Sequence, residues 1–272
     1  MYLSTDCASK KLLAMNICRE KLEQGAVLTV DKYYEPPEVV ERIRGTGGEM
    51  QLQRRGRNYE FIYNGVFLMA TYNGAGEREM ASMALKSCLR RNNLFHRRHC
   101  YGHGNTPAPF LKVLIGGLGF GLSLQEVLRC PLVKSVDVIE LEESVVKWNR
   151  GPLSEVNGGA MADPRVNVYV HDLVEFLQRR HPRDGEGSLY HAVILDTDNG
   201  PGWLSRPGNS LLYGHEGTAL LKEMLVPGGA LAVWSASPAL AYRLLLAKYF
   251  RTVQERQCLE KTGQASYYYL AF

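Results

Sequence analysis

The chain has 272 residues, 45% of them hydrophobic and 22% charged, with a formal net charge of +4. That length fits one large domain or a small domain joined to a standard one, and the composition excludes disordered and fibrous classes. No apolar run approaches the ~18 residues that cross a bilayer, and the start Met-Tyr-Leu-Ser-Thr-Asp-Cys lacks the basic-then-apolar layout of a signal peptide. A soluble, cytoplasmic protein without membrane contact is the expectation. The six cysteines, at 7, 18, 88, 100, 130 and 258, form no Cys-x-x-Cys pair, which argues against zinc and dithiol chemistry and for buried reduced thiols.

Residues 8–24 read as a helix, followed by strand-like runs at 26–34, 48–54 and 59–72. The last contains Asn64-Gly65 between apolar-rich arms, a type I′ hairpin signal. Residues 77–90 read as a helix leading into a basic stretch at 89–99, which accounts for much of the positive charge. That stretch lacks the aromatic interleaving of a base-stacking platform, so a solvated loop is preferred to a nucleic-acid surface. The Gly/Pro/Asn-rich segment 101–109 reads as a linker. The expected division is therefore a β-rich N-terminal module over 1–108 and a second domain over 109–272.

Beyond the linker, strands at 110–115, 136–141, 166–170, 192–195 and 230–234 alternate with helices at 123–130, 143–149, 173–180, 216–225 and 238–249. Nearly continuous apolar strands alternating with helices predict an α/β, Rossmann-like, doubly wound sheet, parallel in these five strands and seven-stranded with the closing pair. Two closing strands at 252–258 and 266–272, joined by a short turn, predict an antiparallel edge.

Ligands of such sheets bind at the carboxyl ends of the strands. The first strand ends in Gly116-Gly117-Leu118-Gly119-Phe120-Gly121, a turn that lets backbone approach a ligand closely. The second ends in Glu140-Leu141-Glu142, with Glu140 24 residues after Gly116, a spacing that suits two ribose hydroxyls. The third ends in His171-Asp172-Leu173 and the fourth in Asp196-Thr197-Asp198-Asn199. His171, directly before Asp172, is expected to face the opposite way. No Walker motif is present, and acids without a basic phosphate clamp favour an adenosyl sulfonium such as S-adenosylmethionine over a dinucleotide. No metal is expected.

These motifs together resemble the spermidine synthase family, built on the class I methyltransferase fold. The hairpin Tyr63–Thr71, the loop Val113–Gly121, the strand end Val138–Glu142, the segment Asp163–Leu177 and the loop Asp196–Pro201 carry the resemblance. It implies that Glu140 and Leu141 meet the ribose and that Asp172 accepts from the adenine amino group beside the Leu173 backbone. It also implies that Asp196 helps deprotonate an attacking amine. The chain departs from the family in four places. Leu118 and Phe120 stand where the family's glycine loop has an acid for decarboxylated S-adenosylmethionine. Leu68 or Met69 replaces a glutamine. Glu77-Arg78-Glu79 replaces the Tyr-Gln/His-Glu polyamine motif and keeps only its last acid. Asn199-Gly200 or Asp198-Asn199 replaces an Asp-Pro.

The missing loop acid points to a transferase that uses intact S-adenosylmethionine and moves a methyl or aminocarboxypropyl group to a small amine-type acceptor. The alternatives are an aminopropyltransferase using decarboxylated S-adenosylmethionine and a non-catalytic nucleoside-binding homologue. Glu79, Asp198, Trp203 and Tyr213 are candidates for the acceptor site, the last two from a long loop after Asn199, and His215 is more simply structural. The family's β-modules often pair, so a homodimer is an open expectation.

Overall fold

The computed structural model describes residues 35–91, 110–179, 189–197, 199–204 and 206–272. The expected helix at 8–24, the strand at 26–34, the linker, most of the basic stretch and Asp198 lie outside the described residues. Glu38–Phe272 form one compact unit.

Four antiparallel strands open that unit: β1 (Glu38–Gly45), β2 (Gly48–Arg55), β3 (Asn58–Tyr63) and β4 (Val66–Ala70), in that spatial order. Asn64 and Gly65 have φ of 49° and 75°, the pair of left-handed residues that a type I′ turn demands. Strand β1 was not evident from the sequence. It is an edge strand in which residues 38–42 are all exposed, so burial imposes no apolar alternation on it. Helix α1 (Ala75–Arg91) then crosses to the second sheet, burying Met80, Ala81, Ala84, Leu85 and Cys88.

The second sheet has seven strands: β5 (Leu111–Gly116), β6 (Val133–Glu140), β7 (Val166–Val170), β8 (Tyr190–Leu195), β9 (Leu225–Ser235), β10 (Val253–Leu259) and β11 (Ala265–Ala271). Their spatial order is β10-β11-β9-β8-β5-β6-β7. β5 to β9 are parallel, and β11 runs antiparallel between β9 and β10, the expected edge. Helices α2 (Leu122–Leu128), α3 (Glu143–Arg150), α4 (Leu173–Arg179), α5 (His215–Glu223) and α6 (Leu240–Tyr249) connect the strands. The central strands are apolar on both faces because each face is covered: Val113, Ile115 and Ile194 belong to one core cluster, and Leu114, Val193 and Leu195 to the other. Each such side chain contributes roughly 1.5–3 kcal/mol on burial.

The order of connection reverses between β5 and β8, because β6 and β7 lie on one side of β5 and β8 and β9 on the other. That reversal separates the loops after β5 and β8 and leaves a crevice between them. Among the described residues no helix is long and apolar enough to cross a membrane.

Candidate active site

Two clefts meet at this crevice. The first is lined by Gly117, Gly119, Glu140, Leu141, Asp172 and Leu173 from the strand ends, with Met69 from the hairpin and Arg206 from the loop after β8. Gly117 and Gly119 have φ of 87° and 51°, and a Cβ on Gly117 would stand 2.2 Å from the Asp196 carbonyl oxygen. Only glycine lets the β5 turn lie against the end of β8. Gly116 is the last residue of β5, and Gly121 precedes α2. These two shape the turn from behind and are not among the cleft residues.

Glu140 is buried and accepts from the Leu118 N–H at 2.8 Å and the Glu142 N–H at 2.9 Å. Burial raises its pKa, an effect those N–H groups only partly offset. Its carboxylate therefore braces the glycine turn, and its remaining lone pairs are available to hydroxyl donors. Asp172 precedes α4 and accepts the Val174 N–H at 2.8 Å on one oxygen, while its other oxygen meets Arg206 Nη1 at 3.2 Å. His171 is also among the residues lining this cleft, and its Nε2 lies 3.5 Å from Arg179 Nη1 of α4.

The second cleft adjoins the first through Asp196 and Thr197, which line both. Its other walls include Phe67 and Met69 of β4, Glu77 of α1, Trp234 of β9, and Glu260 from the β10–β11 turn. Three acids in one cleft differ sharply in their surroundings. Glu260 accepts the N–H groups of Gly74, Ala75 and Gly76 at 2.8, 2.9 and 3.0 Å and the Ser266 hydroxyl at 2.8 Å. Burial works to raise its pKa, but these four donors outweigh it and hold the carboxyl below its ordinary range. Asp196 accepts from the Ser123 hydroxyl at 2.8 Å, and burial raises its pKa to about 6. Glu77 has a buried Oε2 without a hydrogen-bond partner, and burial together with the Asp196 charge raises its pKa to about 8. The Trp234 Nε1 is likewise buried without a partner. A cleft with an unneutralised acid cluster suits a cationic ligand.

Residues 104–263 match the spermine/spermidine synthase domain. The chain belongs to the spermine/spermidine synthase family. It is 34% identical over 127 residues to a polyamine aminopropyltransferase of Mycobacterium tuberculosis, a match covering 46% of this chain and 23% of that protein. It is 28% identical over 167 residues to a polyamine aminopropyltransferase of Saccharolobus islandicus, covering 61% of this chain and 51% of that protein. The matches thus take in only about a quarter to a half of those relatives. The spermidine synthase of Thermotoga maritima superposes with a TM-score of 0.65 at 17% identity, over 86% of this chain and 72% of that one. A spermidine synthase bound to the transition-state analogue AdoDATO does so with a TM-score of 0.64 over the same shares.

Against this spermidine synthase framework the remaining candidates separate. Glu79 lines neither cleft, and its carboxylate accepts from the Tyr268 hydroxyl at 2.7 Å. Tyr213 touches the site indirectly, through a 3.2 Å contact between its hydroxyl and Thr197 Oγ1. Trp203 is half exposed and lines neither cleft. His215 pairs with the Tyr249 hydroxyl at 2.9 Å. Sequence reasoning overlooked Glu77 and Glu260. Leu118 and Phe120 are each only 3% exposed and pack in the core cluster.

Proposed function

We propose that this chain is an aminopropyltransferase, taking decarboxylated S-adenosylmethionine in the first cleft and a small amine in the second. The observation that carries the reading is the acid cluster of the second cleft, with Glu77 Oε2 buried and without a hydrogen-bond partner. Intact S-adenosylmethionine would bring a carboxylate toward Glu77 and Asp196, and like charges in a buried site repel strongly. The decarboxylated form carries the same ammonium without the carboxylate. The expectation of intact S-adenosylmethionine rested on Leu118 and Phe120. In the present reading Glu77 of α1 supplies the negative charge that the glycine loop lacks.

In this reading Glu140, with the Leu141 backbone, receives the ribose hydroxyls, and Asp172, beside Leu173, receives the adenine amino group. Backbone around Gly117 and Gly119 lies along the sulfonium chain. The bound sulfonium supplies an electrophilic carbon and a neutral thioether leaving group. The protein's own contribution is to align the acceptor nitrogen behind that carbon, to exclude water, and to take one proton from the acceptor ammonium at Asp196. A C–N bond forms as the C–S bond breaks, and methylthioadenosine leaves. Methyl or aminocarboxypropyl transfer from intact S-adenosylmethionine is the competing reading.

Release of methylthioadenosine or of S-adenosylhomocysteine from each donor, in the presence of 1,3-diaminopropane, 1,4-diaminobutane or longer amines, decides between them. Turnover with the decarboxylated donor and none with S-adenosylmethionine is expected. Tighter binding of, or turnover with, S-adenosylmethionine would overturn the assignment.

A further inference from the structure

Asp196 has a task in the mechanism above and Glu77 has none. Yet Glu77 is the most isolated charge in the site. Asp196 at the end of β8, Glu260 in the β10–β11 turn and Arg78 on its own helix are the charged groups that act on it. The Glu260 carboxylate is already taken up by three backbone N–H groups and Ser266. Arg78 turns away, donating to the Gly74 carbonyl and to Gln125. Cys258 also senses Glu77, but burial raises its pKa to about 11 and it stays an uncharged thiol. Among the described residues no cationic side chain pairs directly with either carboxylate.

The Ser123 hydroxyl carries a second clue. It lies 2.8 Å from Asp196 Oδ2 and 3.4 Å from the Glu77 carbonyl oxygen. A hydroxyl has one proton and cannot donate to both acceptors. Both contacts become hydrogen bonds once Asp196 carries a proton, because Asp196 then donates to Ser123 and Ser123 donates to the Glu77 carbonyl.

We propose that Glu77 and Asp196 act as one acid unit that shares a single proton while the cleft is empty and exchanges it for the acceptor's cationic nitrogen. The inference rests on reading the second cleft as the amine site. The proton balance closes over a cycle. Entry of the ammonium expels the shared proton to solvent and leaves the pair doubly negative. Asp196 then takes one N–H proton as the C–N bond forms and the C–S bond breaks. The product remains an ammonium, now facing a pair that again holds one proton and only one negative charge. Its grip is weakened at the moment when release is needed. Glu77 is thus the residue that couples acceptor binding to product departure.

Two measurements on the full chain test this. Difference infrared spectroscopy reads the carboxylic C=O stretch, and a protonated carboxyl is expected at neutral pH that is absent from Glu77→Gln. Calorimetry with 1,4-diaminobutane in buffers of different ionisation enthalpy is expected to show about one proton released per amine bound, with affinity tightening about tenfold per pH unit between about pH 6 and 8. A wild-type spectrum without a protonated carboxyl at neutral pH, or one unchanged in Glu77→Gln, overturns the proposal. So does binding without proton release. If the protonated carboxyl is present but no amine binds or turns over, the shared proton stands and the assignment of an amine acceptor fails instead.

Discussion

Replacing Glu260 with glutamine removes a charge that four donors converge on. The carboxylate takes the first N–H groups of α1, from Gly74, Ala75 and Gly76, and the Ser266 hydroxyl, all within 3.0 Å. Glutamine offers one carbonyl oxygen, and its NH₂ must face at least one donor. About two charge-assisted hydrogen bonds are lost, each worth roughly 1.5–3 kcal/mol. The favourable placement of an anion at a helix N-terminus, about 0.3–1 kcal/mol, goes with them. Together these give a destabilisation of about 3–7 kcal/mol at neutral pH. The sign of the pH dependence follows from the lowered pKa of Glu260. The unfolded chain binds this proton more readily, so the stabilisation is present above the ordinary glutamate range and fades as pH falls through the folded value. Urea unfolding of wild type and Glu260→Gln at neutral pH and at about pH 3 checks both points. A difference below about 1 kcal/mol at neutral pH, or a gap that persists undiminished in acid, would refute the reasoning.

Glu77→Gln should have the opposite effect on stability. Its pKa is raised, so the wild type gains from this site below about pH 4.5 and loses that gain as pH rises toward about 8. The variant should therefore become progressively more stable than wild type over that window, by up to a few kcal/mol in unfolding experiments. Asp196→Asn should cut turnover by ~10²–10⁴ while leaving methylthioadenosine affinity nearly intact, as for loss of a positioned base; near-normal turnover would remove its catalytic role. Glu140→Ala should weaken methylthioadenosine binding by ~1–3 kcal/mol in calorimetry through lost charged hydrogen bonds. Gly117→Ala should cost about 1–3 kcal/mol in backbone strain and displace Asp196, so turnover and melting temperature fall together.

The alternation of strands and helices after residue 110 was legible because both faces of β5, β6 and β8 are covered and their apolar runs admit little else. The strand-end rule likewise put Glu140, Asp172 and Asp196 in one cleft, since a parallel sheet delivers its carboxyl ends to a single edge. The choice between Glu77 and Glu79 was not legible. Two residues along a helix turn the side chain by about 200°, so one acid reaches the cleft and the other meets Tyr268. The phase depends on how α1 docks against the seven-stranded sheet and α2. Glu260 was out of reach for a related reason. It sits in a hairpin turn that shows only turn chemistry until the sheet order brings β10 and β11 beside the start of α1.

The bond between Glu260 and Gly74 joins residues 186 positions apart. Closing so long a loop is slow and is rewarded only when both ends are already ordered. The strand-end acids of the first cleft, by contrast, come from consecutive βα units. Refolding should therefore yield a nucleoside-binding intermediate before a catalytically competent protein, with the wall of the second cleft assembling last. A ribosome-bound chain would face the same delay, with α1 left uncapped until the final hairpin has emerged.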